Sequence, residues 1–122
     1  QDKASPQDYI QESQIIVTED KIIINIPNTV VTRYSDTNSM DPFLDAESNG
    51  IEIQPTCPNI KEGDIIAYEA SWISGLVVHR VIQVSEDSEG LYFIAKGDNS
   101  TSIDPQKIRC DEVKGQLIGV IY

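Results

Sequence analysis

Basic residues are scarce in this chain of 122 residues, where nine lysines and arginines stand against twenty aspartates and glutamates. The formal net charge is −11 and the isoelectric point is near 4.2. Binding to nucleic-acid phosphates requires clustered lysine and arginine, so this scarcity argues against a nucleic-acid partner. A strongly acidic surface keeps a protein soluble, which is the simplest account of the charge.

Long apolar runs are absent as well. No stretch approaches the roughly 18 apolar residues of a membrane-spanning helix, and no secretory signal is visible. One histidine, two separated cysteines and scattered acids make no metal-ligand cluster, and there is no glycine-rich phosphate loop. We therefore expect neither a metal nor a cofactor.

The two cysteines, Cys57 and Cys110, lack the C-x-x-C spacing of zinc and redox sites. A disulfide between them would persist in an oxidising compartment, but the sequence does not show that their Cα atoms come close enough. Two buried free thiols are the simpler expectation, and a Cys57–Cys110 disulfide is the alternative.

The length suits a single domain, which we place at residues 14–122 after a polar N-terminal tail or linker at residues 1–13. Runs rich in Ile and Val, separated by turn residues, predict strands, and no long window has helical periodicity. Strands are expected at residues 14–18, 21–26, 30–34, 51–53, 65–68, 76–84, 91–95 and 113–121, with turns at 45–50 and 85–90. The fold is therefore expected to be mostly β, with little helix.

A predicted strand leads into the stretch Thr37-Asn38-Ser39-Met40-Asp41-Pro42. Asn38 tolerates a positive φ and Pro42 restrains the residue before it, so we expect a sharp turn that exposes the Ser39 hydroxyl. A serine hydroxyl is a poor nucleophile near neutral pH unless a base lies within hydrogen-bond reach.

His79, the only histidine, is the candidate base. Strand alternation puts it on the apolar face of residues 77–81, where an imidazole without a partner would be costly. Asp98 and Asp104 follow the next predicted strand, and either one would orient the imidazole; the residues alone do not separate them. Arg80 is expected to pair with one of these two aspartates.

Four boxes stand in order along the chain: S-M-D-P at 39–42, G-D-I-I at 63–66, H-R-V at 79–81, and G-D-N at 97–99 followed by Asp104. In these boxes the chain resembles the type I signal peptidases. The similarity is to the archaeal and endoplasmic-reticulum branch, which carries histidine where the common bacterial enzymes carry lysine. It spans about residues 34–104 and touches the C-terminal strand.

The resemblance implies a serine endopeptidase that cleaves signal peptides from exported preproteins after small residues. Its catalytic core would be a small β-sheet that forms a partly open barrel. The implied roles are Ser39 as nucleophile, His79 as general base, Asp104 as the carboxylate that orients the base, and Asp98 as a supporting residue.

The resemblance also implies an oxyanion hole made by the backbone N–H of Ser39 and the hydroxyl of Thr37. The family usually has serine and glycine where this chain has Thr37 and Asn38; threonine keeps the hydroxyl, but its β-branch stiffens χ1. We read Gly63-Asp64 as a structural turn and assign Asp64 no catalytic role.

Members of this family are tethered by a membrane helix. The resemblance therefore implies a soluble catalytic fragment of a membrane-anchored enzyme that acts on the extracytoplasmic side. The anchor would lie outside this sequence, and residues 1–13 would be a juxtamembrane linker. The partner would be an extended preprotein segment that adds as a strand beside the site. The sequence carries no sign of whether additional subunits take part.

Two other readings stay open. The first is a related serine protease of the self-cleaving repressor or pilus-maturation type, but its lysine base has no counterpart here, since Lys96 precedes Gly97-Asp98 and does not occupy position 79. The second is a non-catalytic β-domain that binds peptides or partners. The departure at Thr37-Asn38 favours this second reading slightly, and the presence of Ser39, His79 and Asp104 opposes it.

Overall fold

Runs of isoleucine and valine bounded by turn residues form the strands of this protein, whose computed structural model describes residues 3–35 and 37–122. The described strands are β1 (Ile15–Val17), β2 (Ile22–Ile24), β3 (Thr29–Thr32), β4 (Asn49–Ile53), β5 (Ile65–Glu69), β6 (Leu76–Asp87), β7 (Gly90–Lys96), β8 (Ile108–Arg109) and β9 (Val113–Ile121). Helical structure in these ranges is limited to 3₁₀ segments at Glu12–Gln14, Cys57–Asn59 and Cys110–Glu112. The expectation of a mostly β protein is confirmed.

All strand pairs are antiparallel. Strands β1 and β2 form a separate hairpin, and the others form one sheet in the order β3-β4-β9-β5-β6-β7-β8. Because β3 and β8 are its two edges, the described sheet is open and does not close into a barrel. Within the described residues, no helix has the length and apolar character needed to cross a membrane.

Two of the predicted turns are wrong at their ends. Asn49 and Gly50 belong to β4, where Gly50 pairs with Thr32 and Val120. A Cβ atom at position 50 would collide with the Tyr34 hydroxyl, so the glycine serves side-chain packing and not a turn.

The predicted turn at residues 85–90 is also much tighter than expected. Strand β6 continues to Asp87 and pairs there with Gly90, which leaves only Ser88 and Glu89 as the hairpin turn. Strand β8 was not predicted, because two residues are too few to produce a recognisable alternation.

The sheet is covered on both faces by apolar side chains. On one face lies the Phe93 cluster, formed by Ile60, Ile66, Tyr68, Val77, Val81, Phe93, Ala95, Ile108 and Val113. On the other lies the Met40 cluster, formed by Met40, Leu44, Ile65 and Leu117. Ile65 and Ile66 are neighbours on β5 yet belong to different clusters, as strand alternation requires.

Strand β6 alternates in the same way around His79. Val77 and Val81 belong to the Phe93 cluster, so His79 between them faces that side, as predicted. Arg80 faces the opposite side, where its guanidinium lies 5.6 Å from the centre of the Phe43 ring beside the Met40 cluster. Adjacent residues of one strand therefore reach opposite faces of the sheet.

Asp64 fastens the N-terminal segment to the sheet. This fully buried carboxylate accepts hydrogen bonds from the backbone N–H groups of Gln7 and Lys61, both at 2.9 Å, and from the Tyr9 hydroxyl at 2.7 Å. Its contacts fit the structural role expected for it. Gln7 and Tyr9 of the predicted tail thus contact the domain, as does Ala4, whose carbonyl accepts a hydrogen bond from Arg80. Residues 1 and 2 lie outside the described residues, and the boundary at residue 13 stays a prediction.

Cys57 and Cys110 form a disulfide, with their Cα atoms 5.6 Å apart. The expectation of two free thiols is therefore wrong. Both residues pack against the Phe93 cluster, and this shared core brings together positions that are 53 residues apart in sequence. No local pattern in the chain encodes that approach.

Removal of the disulfide is expected to lower the free energy of unfolding by up to about 4 kcal/mol, the chain-entropy value for a loop of this length. The change is the double variant Cys57→Ala/Cys110→Ala, and the measurement is denaturant unfolding of the oxidised protein. A thiol reductant should lower the stability of the parent to that of the variant and leave the variant unaffected. A parent protein whose unfolding is insensitive to the reductant would contradict this prediction.

Candidate active site

The turn after β3 presents Ser39 as the sequence predicts. Asn38 has a φ of 61°, the left-handed conformation that asparagine tolerates, and the Asp41–Pro42 peptide bond is cis. Met40 is buried, with 4% of its surface exposed, and packs against Leu44 in the Met40 cluster. Ser39 is thereby held between a buried side chain and a left-handed residue.

Ser39, His79 and Asp104 form one continuous series of hydrogen bonds. The Ser39 Oγ atom lies 3.0 Å from His79 Nε2, and His79 Nδ1 lies 2.7 Å from Asp104 Oδ2. An ionised carboxylate only accepts hydrogen bonds, so Nδ1 carries the proton and Nε2 is left to accept from the serine. His79 and Asp104 are both buried, which keeps water from competing for these bonds.

Tyr68 adds a donor that the sequence did not reveal. Its hydroxyl donates to Asp104 Oδ2 at 2.6 Å, the same oxygen that His79 contacts. Burial, together with the hydrogen bond to Asp104 and its charge, raises the pKa of Tyr68, so the phenol stays protonated and remains a donor. Its position depends on the pairing of β5 with β6, and the sequence predicted both strands but not their register.

Asp98 lies on the other face of β6 and bonds to Arg80, not to His79. Its two carboxylate oxygens accept from Arg80 Nε and Nη2, each at 2.8 Å, and both side chains are largely buried. Arg80 Nη1 also donates to the backbone oxygens of Ala4, at 2.9 Å, and Gly63, at 3.2 Å. Of the two partners expected for Arg80, the structure selects Asp98, whose contact with the site is therefore indirect.

The turn at Gly97–Asn99 packs against the turn at residues 37–42 that carries Ser39, called the serine turn. The backbone N–H of Asn99 donates to the Ser39 carbonyl at 2.9 Å, and its side-chain amide donates to the Asn38 carbonyl at 3.0 Å. A Cβ atom at Gly97 would lie 2.6 Å from the Ser39 carbonyl oxygen and 3.0 Å from His79 Nε2. Only glycine lets the two turns approach this closely.

The two expected oxyanion donors lie beside the serine hydroxyl. Thr37 Oγ1 is 3.0 Å from Ser39 Oγ, and the backbone N–H of Ser39 points to Thr37 Oγ1 at 3.4 Å. Both groups therefore lie at Ser39 Oγ, with the Ser39 N–H turned towards the Thr37 hydroxyl, and their role as oxyanion donors stays a prediction.

A cleft of about 690 Å³ opens at Ser39 and His79. Its rim carries exposed apolar side chains: Trp72, Ile73, Leu76 and Ile103. Strand β6 pairs with β5 through residues 76–80 and with β7 only from Arg80 onward. Along residues 76–79, therefore, no described strand is paired with the edge that β7 would otherwise occupy.

Within residues 3–35 and 37–122, no three His, Cys, Asp or Glu side chains converge in an arrangement that would hold a metal ion. Comparison with models of known protein families, with curated proteins and with solved structures found no match. The family resemblance consequently depends on the four sequence boxes.

Gly97→Ala is expected to displace the serine turn, because the new methyl group would occupy space held by the Ser39 carbonyl. The imidazole signals of the single histidine report the bond to Ser39, so we expect NMR to show a change comparable to that in Ser39→Ala. Gly119→Ala is the matched control, since its Cβ atom would meet only ordinary contacts at 3.5 Å or more. Histidine signals that are the same in Gly97→Ala and the parent would refute this reading of the turn.

Arg80→Ala is expected to cost about 3–5 kcal/mol of unfolding free energy, because it leaves the Asp98 carboxylate buried without its partner. Lys107→Ala removes an exposed partner of Asp87 and should cost about 1 kcal/mol or less. In a double-mutant cycle, adding Asp98→Ala should recover part of the loss from Arg80→Ala. Equal losses of unfolding free energy in Arg80→Ala and Lys107→Ala would show that the buried Arg80–Asp98 pair does not hold the loop that carries Asp98.

Proposed function

We propose that this protein is a serine endopeptidase of the signal-peptidase type, with Ser39 as nucleophile and His79 as general base. The observation that carries the proposal is the hydrogen-bonded series from Ser39 Oγ through the imidazole to Asp104 Oδ2. Nucleophile, base and orienting carboxylate stand in the geometry that hydroxyl activation requires. The open antiparallel sheet would then be a signal-peptidase-like catalytic core.

In the acylation step, Ser39 Oγ attacks the scissile carbonyl carbon while its proton moves to His79 Nε2. Asp104 accepts from Nδ1–H and stabilises the imidazolium that forms. The Ser39 N–H and the Thr37 hydroxyl donate to the oxyanion. The C–N bond then breaks, the amine leaves with the proton from Nε2, and an ester remains on Ser39.

Hydrolysis of this ester reverses the roles. His79 Nε2 takes a proton from water, and the resulting hydroxide attacks the ester carbonyl carbon. The bond to Ser39 Oγ breaks, the serine recovers its proton from the imidazolium, and a peptide with a free carboxylate departs. No cofactor is needed for either half of the reaction.

The substrate that best fits the cleft is an extended polypeptide segment. The unpaired edge of β6 along residues 76–79 leads to His79 and is available for main-chain hydrogen bonds. The apolar rim would bind side chains of such a segment. The remaining parts of the proposal depend on the resemblance of the four boxes. They are that the substrates are preproteins, that cleavage follows small residues, and that the enzyme is membrane-anchored on the extracytoplasmic side.

The proposal is tested by cleavage of a peptide that spans a signal-sequence junction, in the presence of detergent or lipid. Ser39→Ala and His79→Ala should each lower turnover by roughly four orders of magnitude or more, because both belong to one catalytic unit. Between about pH 5 and about pH 9, parent activity should rise with pH, because only the neutral imidazole can accept the proton of Ser39. Ser88→Ala, in the exposed hairpin turn, is the control.

A fluorophosphonate probe gives an independent measurement, since it labels only an activated serine. We expect labelling of the parent at Ser39 and none in His79→Ala. A parent domain that neither cleaves the peptide nor reacts with the probe would refute the proposal and favour a peptide-binding β-domain without catalysis.

A further inference from the structure

Tyr68 is a buried titratable residue with no role in the mechanism described above. Its side chain is fully buried within the Phe93 cluster, yet its hydroxyl reaches the carboxylate that His79 uses. Two donors therefore share a single oxygen, Asp104 Oδ2, at 2.6 Å from the phenol and 2.7 Å from the imidazole.

The sheet itself fixes this arrangement. Strand pairing places Ile66 opposite His79 and Tyr68 opposite Val77, so the tyrosine and the histidine are diagonal neighbours on one face. Diagonal neighbours in an antiparallel pair lie within reach of aromatic and other long side chains. The ring packs in the core, so the hydroxyl position is set by the backbone and not by a mobile side chain.

We propose that Tyr68 is a positioning residue of the reaction, whose hydroxyl holds Asp104 against His79 and neutralises part of the carboxylate charge. This inference rests on the proposed function. While the phenol donates to Asp104, the carboxylate still orients the imidazole, but it stabilises the protonated form of the imidazole less strongly. The base therefore remains neutral, and able to accept from Ser39, over more of the pH range.

Few charged groups bear on this hydroxyl. Asp104 accepts its hydrogen bond; the charges of Asp104 and Glu112 raise the pKa of the phenol, and Trp72 acts in the opposite direction. His79 shares Asp104 with it, and Arg80 points to the opposite face, where Asp98 neutralises it. Loss of the phenol hydroxyl thus leaves the imidazole as the donor that must balance Asp104.

The test is Tyr68→Phe, which keeps the ring and removes only the hydroxyl. The chain has one histidine, so NMR follows its imidazole titration without ambiguity. We expect the midpoint to move to higher pH by roughly half to one unit, which is about half of what a hydrogen bond to a charged group is worth, because the lost bond acts on the imidazole only through Asp104. The rising limb of the pH–activity profile should move by the same amount.

Tyr9→Phe is the matched control, because the Tyr9 hydroxyl also donates to a buried carboxylate, Asp64, at 2.7 Å. Both variants lose one buried hydrogen bond and similar stability, but only Tyr68→Phe should move the histidine titration. Site-specific 3-fluorotyrosine at position 68 offers a second change that preserves the fold. It is a stronger donor than tyrosine and should move the midpoint to lower pH.

A titration that is unchanged in both position-68 variants, or shifted equally in Tyr9→Phe, would overturn the inference. The NMR readout does not depend on catalysis, so it separates the two proposals. A parent domain without peptidase activity refutes the proposed function while the titration still tests Tyr68. If the parent is active but the histidine titration is the same in Tyr68→Phe, the inference is refuted and the proposed function is not.

Discussion

The loop between β7 and β8 is held by two adjacent residues of β6, and the geometry of the site depends on this constraint. His79 binds Asp104 on one face of the sheet, and Arg80 binds Asp98 on the other. The loop must therefore cross the edge of β6 between these two aspartates. That crossing brings Asn99 against the turn that carries Ser39, so one strand positions both His79 and the support of Ser39.

The parts of the site that follow from backbone geometry were predictable from the sequence. The face on which His79 lies follows from the two-residue period of a strand, and the left-handed residue before Ser39 follows from the tolerance of asparagine. The residues alone did not separate Asp98 from Asp104, because loop side chains are placed by distant contacts, and only the family resemblance favoured Asp104, which is the aspartate that contacts His79. Tyr68 escaped notice for a related reason, since its approach to Asp104 depends on strand register.

Buried carboxylates are costly, and this acidic chain offsets the cost with fixed donors. Asp64 has backbone and side-chain donors, Asp98 has a guanidinium, and Asp104 has an imidazole and a phenol. Glu52 is different: burial raises its pKa, and the Tyr34 hydroxyl donates to it at 2.9 Å. Of these three carboxylates with fixed donors, Asp104 is the one that shares an oxygen with a group that exchanges protons in the proposed reaction.

The surroundings of His79 explain why an imidazole suits this position better than the lysine that some serine proteases use as a base. A lysine base must be neutral to accept the serine proton, and apolar burial is what lowers its pKa enough. A carboxylate within hydrogen-bond distance has the opposite effect, because it stabilises the ammonium form. Asp104 lies at that distance, so an amine at position 79 would be held protonated. An imidazole has a second nitrogen, which lets one side bind Asp104 while the other accepts from Ser39.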